Sequence, residues 1–127
     1  MFNISELTDL LGADLAAISR RMASFVHPDL DDVPLGAVLS ALADPARRRI
    51  LRRLRDDRLT GGEGLSCSAA APAELPKATM SNHYAVLRAA GLVRARKCGV
   101  QVLHTPRCEE VERRFPGLLG AVLPVQD

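Results

Sequence analysis

The sequence predicts a mostly helical domain that closes on one small β-hairpin. Three observations carry this. Residues 76–93 run as one helical stretch that Gly91 stops. Residues 94–104 then alternate and turn near Gly99, as a hairpin does. From Lys77 to Arg107 there are six Lys or Arg residues and no Asp or Glu. A helix with small polar residues on one face, followed by a basic hairpin, suits a reader of duplex DNA: the helix enters the major groove and the hairpin lies along the backbone. The expected fold class is a winged helix-turn-helix, mostly α with a small β-hairpin as its α/β wing, flanked by dimerising N- and C-terminal helices.

In chain order, Ile4, Leu7, Leu11, Leu15, Ile18, Met22 and Phe25 recur at steps of three and four, one amphipathic stripe that passes straight through Gly12. Asn3 can cap this helix, with Glu6 in the capping-box position. The stretch from Ser5 to Met22 also resembles a helix-turn-helix, but it is net acidic and has no wing, so a single dimerisation helix is the reading adopted. Residues 27–34 form an acidic linker that Pro28 and Pro34 keep from becoming helical. A second helix is expected from Leu35, with Leu35, Val38, Leu39 and Leu42 on one face. Asp44-Pro45 is a strong helix start, Asp at the cap and Pro at the first helical position. The helix it opens should bury Ile50, Leu51 and Leu54 and show Arg47, Arg48, Arg52, Arg53 and Arg55 to solvent or phosphate. Residues 60–64 are a loop, and residues 68–75 a short helix broken around Pro72. After the hairpin a helix over 108–115 carries acids at its start and bases at its end, in keeping with the macrodipole. Pro116-Gly117 interrupts it before a last apolar turn over 118–123. The expected organisation is a dimerising segment over 1–34, the DNA-binding domain with its C-terminal dimerisation helix over 35–123, and a tail over 124–127.

A chain of 127 residues can bury one core but not two. Its 47 % hydrophobic content excludes disorder, yet no run approaches the ~18 apolar residues of a membrane span. The amino terminus shows no basic-then-apolar signal segment, so a cytoplasmic protein without membrane contact is expected. Three scattered cysteines are not a disulfide framework. The net charge of +2 is bland, but its distribution is not. Residues 1–34 hold six acids against Arg20 and Arg21, whereas 77–107 is purely cationic. That concentration is the footprint of a nucleic-acid partner.

Two strings, in the right order, resemble the ArsR/SmtB family of bacterial winged-helix repressors. Leu39-Ser40-Ala41-Leu42-Ala43-Asp44-Pro45-Ala46-Arg47-Arg48-Arg49-Ile50-Leu51 is similar to the family's opening helix pair. Met80 through Val93 is similar to its recognition helix and the exit into the wing. The resemblance covers about residues 35–123 and implies a homodimeric repressor on an imperfect palindrome, with first and last helices at the dimer interface. It also implies release by a metal ion or another signal. Two departures weigh against metal. Residues 65–71 carry a lone Cys67 where metal-sensing members often have a Cys-x-Cys pair, and residues 108–123 contain no His. No cofactor is therefore expected, a metal ion being the one candidate and its usual ligands missing.

In the recognition helix, Met80, Tyr84 and Leu87 fall at i, i+4 and i+7 and should face the core. Lys77, Ala78, Ser81 and Asn82 then project outward near the N-terminal end, where such helices meet base edges. Asn82 suits bidentate contact with adenine, and Ser81 and Thr79 suit a base or a phosphate. Lys77 suits a phosphate. His83 reads equally as a DNA contact or as a packed residue. In the wing, Arg94 and Arg96 alternate with Val93 and Ala95 and share an exposed face, with Lys97 at the turn. Cys98, Cys67 and Cys108 are the candidate signal-sensing residues. Cys98, flanked by Arg96 and Lys97, is the thiol that neighbouring cations should make most reactive. Cys67 and Cys108 read as small packed hydrophobes.

Enzyme motifs are missing: no Gly-rich phosphate loop, no Gly-x-Ser-x-Gly elbow and no His-Glu-x-x-His string. His27, His83 and His104 lie in a linker, a helix and a strand without a carboxylate at triad-like placement. A non-enzymatic regulator is expected. The rival reading is a winged-helix protein-interaction module that has lost DNA affinity, and the charge of 77–107 speaks against it.

Overall fold

The computed structural model describes residues 25–126. Except for Phe25 and Val26, the helix expected over 4–26 lies outside the described residues. Six helices and one antiparallel hairpin follow: α1 (Leu35–Leu42), α2 (Pro45–Leu59), α3 (Cys67–Ala70), α4 (Lys77–Ala89), β1 (Val93–Cys98), β2 (Gln101–Pro106), α5 (Cys108–Arg114) and α6 (Leu118–Val122). Element order and type make this a mostly helical domain consistent with a winged helix.

Asp44 caps α2, its carboxylate accepting from the Ala46 N–H at 2.8 Å, with Pro45 in the first turn. Ile50, Leu51 and Leu54 are buried as the spacing requires. Of the arginines of α2, Arg53 is exposed as expected, while Arg47, Arg48, Arg52 and Arg55 are half-buried. Arg47 Nε donates to Ala41 O at 2.7 Å and its Nη2 to Ser40 O at 3.1 Å, while Arg48 Nη1 donates to Leu42 O at 2.7 Å. Arg53 reaches Ala69 O, and Arg52 reaches Leu123 O and Val125 O. Each target is a carbonyl at or near the end of a helix, where intrahelical partners run out. These side chains therefore close the ends of α1, α3 and α6. Arg55 Nε is buried without a partner.

The apolar stripe of α1 divides in two. Val38 and Leu42 are buried, but Leu35 and Leu39 remain 48 % and 47 % exposed. A helix of only two turns turns one side to α2, and nothing in the described residues covers the other.

Residues 27–34 are docked onto the domain. Leu30 and Val33 enter the core around a single 3-10 turn (Leu30–Asp32). Arg107 Nη1 donates to Pro28 O at 2.8 Å and Arg114 Nε to Leu30 O at 3.2 Å. Gly91 receives this segment. Its φ of 76° ends α4 in the left-handed conformation, and a Cβ there would meet Leu30 Cδ2 at 2.6 Å. Glycine is required twice over at this position.

The hairpin pairs Val93 with Pro106 at its base and Cys98 with Gln101 at its tip. Gly99, at φ 65°, supplies the positive φ that a two-residue turn needs. An isolated bridge joins Leu65 to His104, with Leu65 N–H to His104 O at 3.0 Å and His104 N–H to Leu65 O at 2.7 Å. The loop before α3 is thereby tied to the wing. The core gathers under this frame from Ile50, Leu51, Leu54, Tyr84, Leu87, Leu92, Val93, Val111 and Leu123.

Candidate nucleic-acid interface

The short α3, the turn over 71–76 and the longer α4 form a helix-turn-helix. Ser66 caps α3 by accepting from Ala69 N–H, and Pro72 and Pro76 bound the turn. Along α4 the inner face is set by Tyr84 and Leu87, both fully buried, with Met80 packed against the core beside them. Tyr84 is further fixed by donating its hydroxyl to Cys67 O at 2.9 Å. Anchoring on that side leaves Lys77, Ala78, Thr79, Ser81 and Asn82 exposed on the opposite face and at the N-terminal end. His83 stands apart from them. It is 7 % exposed, with Nδ1 3.3 Å from Arg47 Nη1, the same guanidinium that holds the end of α1. Its place is between α4 and the α1–α2 corner, away from the outer face.

In the wing Val93 and Ala95 are buried while Arg94, Arg96, Lys97 and Cys98 are exposed. Two of the three cations are held. Arg94 Nη2 pairs with Glu110 at 3.1 Å, and Arg96 Nη2 donates to Glu63 O at 2.8 Å. Lys97, at the tip, has no partner among the described residues. Val100 beside it is fully exposed.

The wing rests on a polar support that alternation alone does not reveal. Ala95 N–H donates to His27 Nε2 at 2.9 Å, and burial and then Arg94, Arg107 and Arg88 lower the pKa of this ring. Arg107 is 5 % exposed and grips both Glu110 oxygens, Nε at 3.2 Å and Nη2 at 2.5 Å. Its hydrogen bonds, followed by the Arg94 pair, hold the Glu110 carboxyl down to about 2. Arg58 of α2 donates to Pro106 O at 3.2 Å and pairs with Glu109, so the same helix that closes α1 also braces the base of β2.

All three cysteines are free thiols. Cys98 is exposed at the end of β1, whereas Cys67 and Cys108 are half-buried, and burial pushes both of their thiols up. Among the described residues no three of His, Cys, Asp or Glu are placed together to hold a metal ion. His104 is 1 % exposed, with its ring 4.4 Å from that of Tyr84 and near Cys67. In the sequence His104 and the three cysteines stand out as the soft-ligand candidates, but spacing along the chain does not disclose that Cys67, Tyr84 and His104 meet.

Residues 42–96 match the family model of a helix-turn-helix domain, from the end of α1 through α4 and into β1. Comparison of the chain with curated proteins returns no match. No helix among the described residues is long and apolar enough to cross a membrane. The matched domain supports DNA binding and transcription regulation.

Proposed function

We propose that the chain is a sequence-specific transcriptional repressor of the ArsR type that acts as a homodimer on an imperfect palindrome in duplex DNA. The observation that carries this is the joint exposure of the outer face of α4 and the cationic wing, within a stretch free of acidic residues. Asn82 reads adenine, Ser81 and Thr79 contact base or phosphate, and Lys77, Arg94, Arg96 and Lys97 meet phosphates. His83 positions α4 through Arg47. The helix-turn-helix family matched by residues 42–96 includes ArsR-type regulators, in agreement with the two strings that resemble that family. The uncovered Leu35 and Leu39 fit a dimer interface shared by α1, the N-terminal segment and the C-terminal helices. Two recognition helices related by a dyad place half-sites about 34 Å apart. Release comes from a signal that acts on a thiol.

A gel shift of the full chain against duplex from its own promoter region, at two salt concentrations, tests the proposal. Retarded bands that weaken with salt and survive excess random duplex are expected. Equal competition by random duplex, or no retardation at low salt, would instead favour a protein-interaction module.

A further inference from the structure

Beneath the DNA-facing surface, α3, α4 and β2 meet at Cys67, Tyr84 and His104. His104 Nδ1 lies 3.2 Å from Leu65 O. A carbonyl only accepts, so Nδ1 carries the ring proton and Nε2 presents a lone pair. Cys67 Sγ is 3.7 Å from that Nε2 and 4.0 Å from Nδ1, in contact with the imidazole ring. A nucleophile, a base and a group that orients the base are thus in contact, and a turn of the thiol about the Cys67 Cα–Cβ bond is what would bring its proton to Nε2. Burial favours the uncharged forms of both members, lowering the imidazole and raising the thiol, and Arg88 is the one charged side chain that acts on both. Cys67 is half-buried, packed against the core but not sealed within it.

We propose that Cys67 and His104 form a reactive thiol–imidazole pair for uncharged carbon electrophiles of the α,β-unsaturated carbonyl class, and that the adduct at Cys67 is the signal that loosens DNA binding. The second half rests on the DNA-binding function proposed above. In the reaction the sulfur bonds to the β-carbon as the carbon–carbon π bond opens toward the carbonyl. The thiol proton passes to His104 Nε2 and then to the α-carbon, leaving a thioether and a neutral imidazole. No oxidant is consumed. A charged reagent would have to leave its hydration behind to reach this apolar surround, which selects for neutral ones.

The cluster also explains how an adduct would be felt at the surface. Tyr84 donates to Cys67 O and its ring lies 4.4 Å from that of His104. Tyr84 shares α4 with Ser81 and Asn82, and His104 shares the hairpin with Arg94, Arg96 and Lys97. Close-packed interiors do not absorb an added ring, so bulk on Sγ displaces Tyr84 or His104 and shifts the recognition helix against the wing.

The test uses N-ethylmaleimide on the full chain, with alkylation of each cysteine followed by peptide mass spectrometry between about pH 6.5 and 8.5. A thiol that ionises unaided reacts about tenfold faster per pH unit below its pKa, and free N-acetylcysteine treated in parallel supplies that reference. Cys67 should instead react at a rate nearly independent of pH, because its base is already neutral. His104→Gln should slow Cys67 about a hundredfold and leave Cys98 unchanged. In a Cys98→Ser/Cys108→Ser double variant, alkylation should weaken binding to a labelled promoter duplex at least about tenfold. A tenfold-per-unit slope at Cys67, no alkylation of Cys67 in the folded chain, or full alkylation with unchanged DNA affinity would each overturn the proposal. The wild-type pH profile decides even if His104→Gln fails to fold. A flat profile in a protein that binds no duplex before treatment would uphold the reactive pair and overturn the repressor function.

Discussion

Replacing Arg107 by Met should destabilise the domain by about 3 kcal/mol at neutral pH. Arg107 is 5 % exposed and makes three hydrogen bonds, two to Glu110 and one to Pro28 O. Met retains most of the packing of the aliphatic stem, so the cost is polar. Removing one partner of a fully buried ion pair costs ~3–5 kcal/mol. Glu110 is one-third exposed and keeps Arg94 at 3.1 Å, which brings its share down to about 2 kcal/mol, and the orphaned Pro28 carbonyl adds about 1. The pH dependence supplies a second check. Glu110 titrates near about 2 when folded, below its ordinary value of 4.5, so its contribution is fully present above the unfolded pKa. It fades as pH falls from there and is gone once the pH has passed below the folded value. Urea unfolding of wild type and Arg107→Met at neutral pH, and then at steps down through that window, should show a gap that is widest at neutrality and narrows with acid to the ~1 kcal/mol of the Pro28 carbonyl. A neutral-pH gap under about 0.5 kcal/mol, or one that does not change with pH, would refute the assignment of Arg107 and Glu110 as the joint between the 27–34 segment, the wing and α5.

Three further outcomes are expected. Asn82→Ala should cost ~1–3 kcal/mol on the cognate operator and almost nothing on random duplex in anisotropy titrations; equal losses on both would make Asn82 a positioning contact. Arg94→Ala, Arg96→Ala and Lys97→Ala should each flatten the log–log salt dependence of binding by about one unit, and an unchanged slope would mean that the wing does not touch the backbone. Asp44→Ala should lower stability by about 1 kcal/mol through loss of the α2 cap, measured by chemical denaturation, with DNA contacts intact in the folded protein.

Where one short-range rule decides a feature, the sequence disclosed it. Asp44-Pro45 must start a helix because cap and ring act within one turn. Gly99 must sit at the hairpin tip because the turn needs a positive φ. The inward set of α4 followed from spacing, and it placed Tyr84 and Leu87 where they lie. Features that depend on what a side chain meets across space stayed hidden. Periodicity put Leu35 and Leu39 on a stripe with Val38 and Leu42 but could not say which of them α2 would cover. The acidic composition and prolines of 27–34 correctly excluded a long helix, yet gave no sign that Arg107 and Gly91 would receive this segment. His83 offered no pattern that distinguishes an outward ring from one facing Arg47. Cys67 and His104 lie far apart in the chain, and they meet through the Leu65–His104 bridge and through Tyr84, which touches both.

The use of α2 arginines on backbone carbonyls bears on how counterions will report DNA binding. Five of its guanidinium groups, those of Arg47, Arg48, Arg52, Arg53 and Arg58, are committed to carbonyl oxygens elsewhere in the fold. Each already spends one or more of its N–H donors on a backbone carbonyl at the end of a helix or strand. Ion release on association should therefore come mainly from the few cations of α4 and the wing, giving a slope no steeper than about −4 per protomer, and shallower where Arg94 and Arg96 keep their Glu110 and Glu63 partners, rather than one scaled to the arginine content. It also separates the two basic residue types by task. A planar fork can span the Ser40 and Ala41 carbonyls together, as Arg47 does, whereas an ammonium is a point donor on a flexible stem. The two lysines of the chain, Lys77 and Lys97, fall at the outer end of α4 and the tip of the wing, where a mobile charge is sufficient.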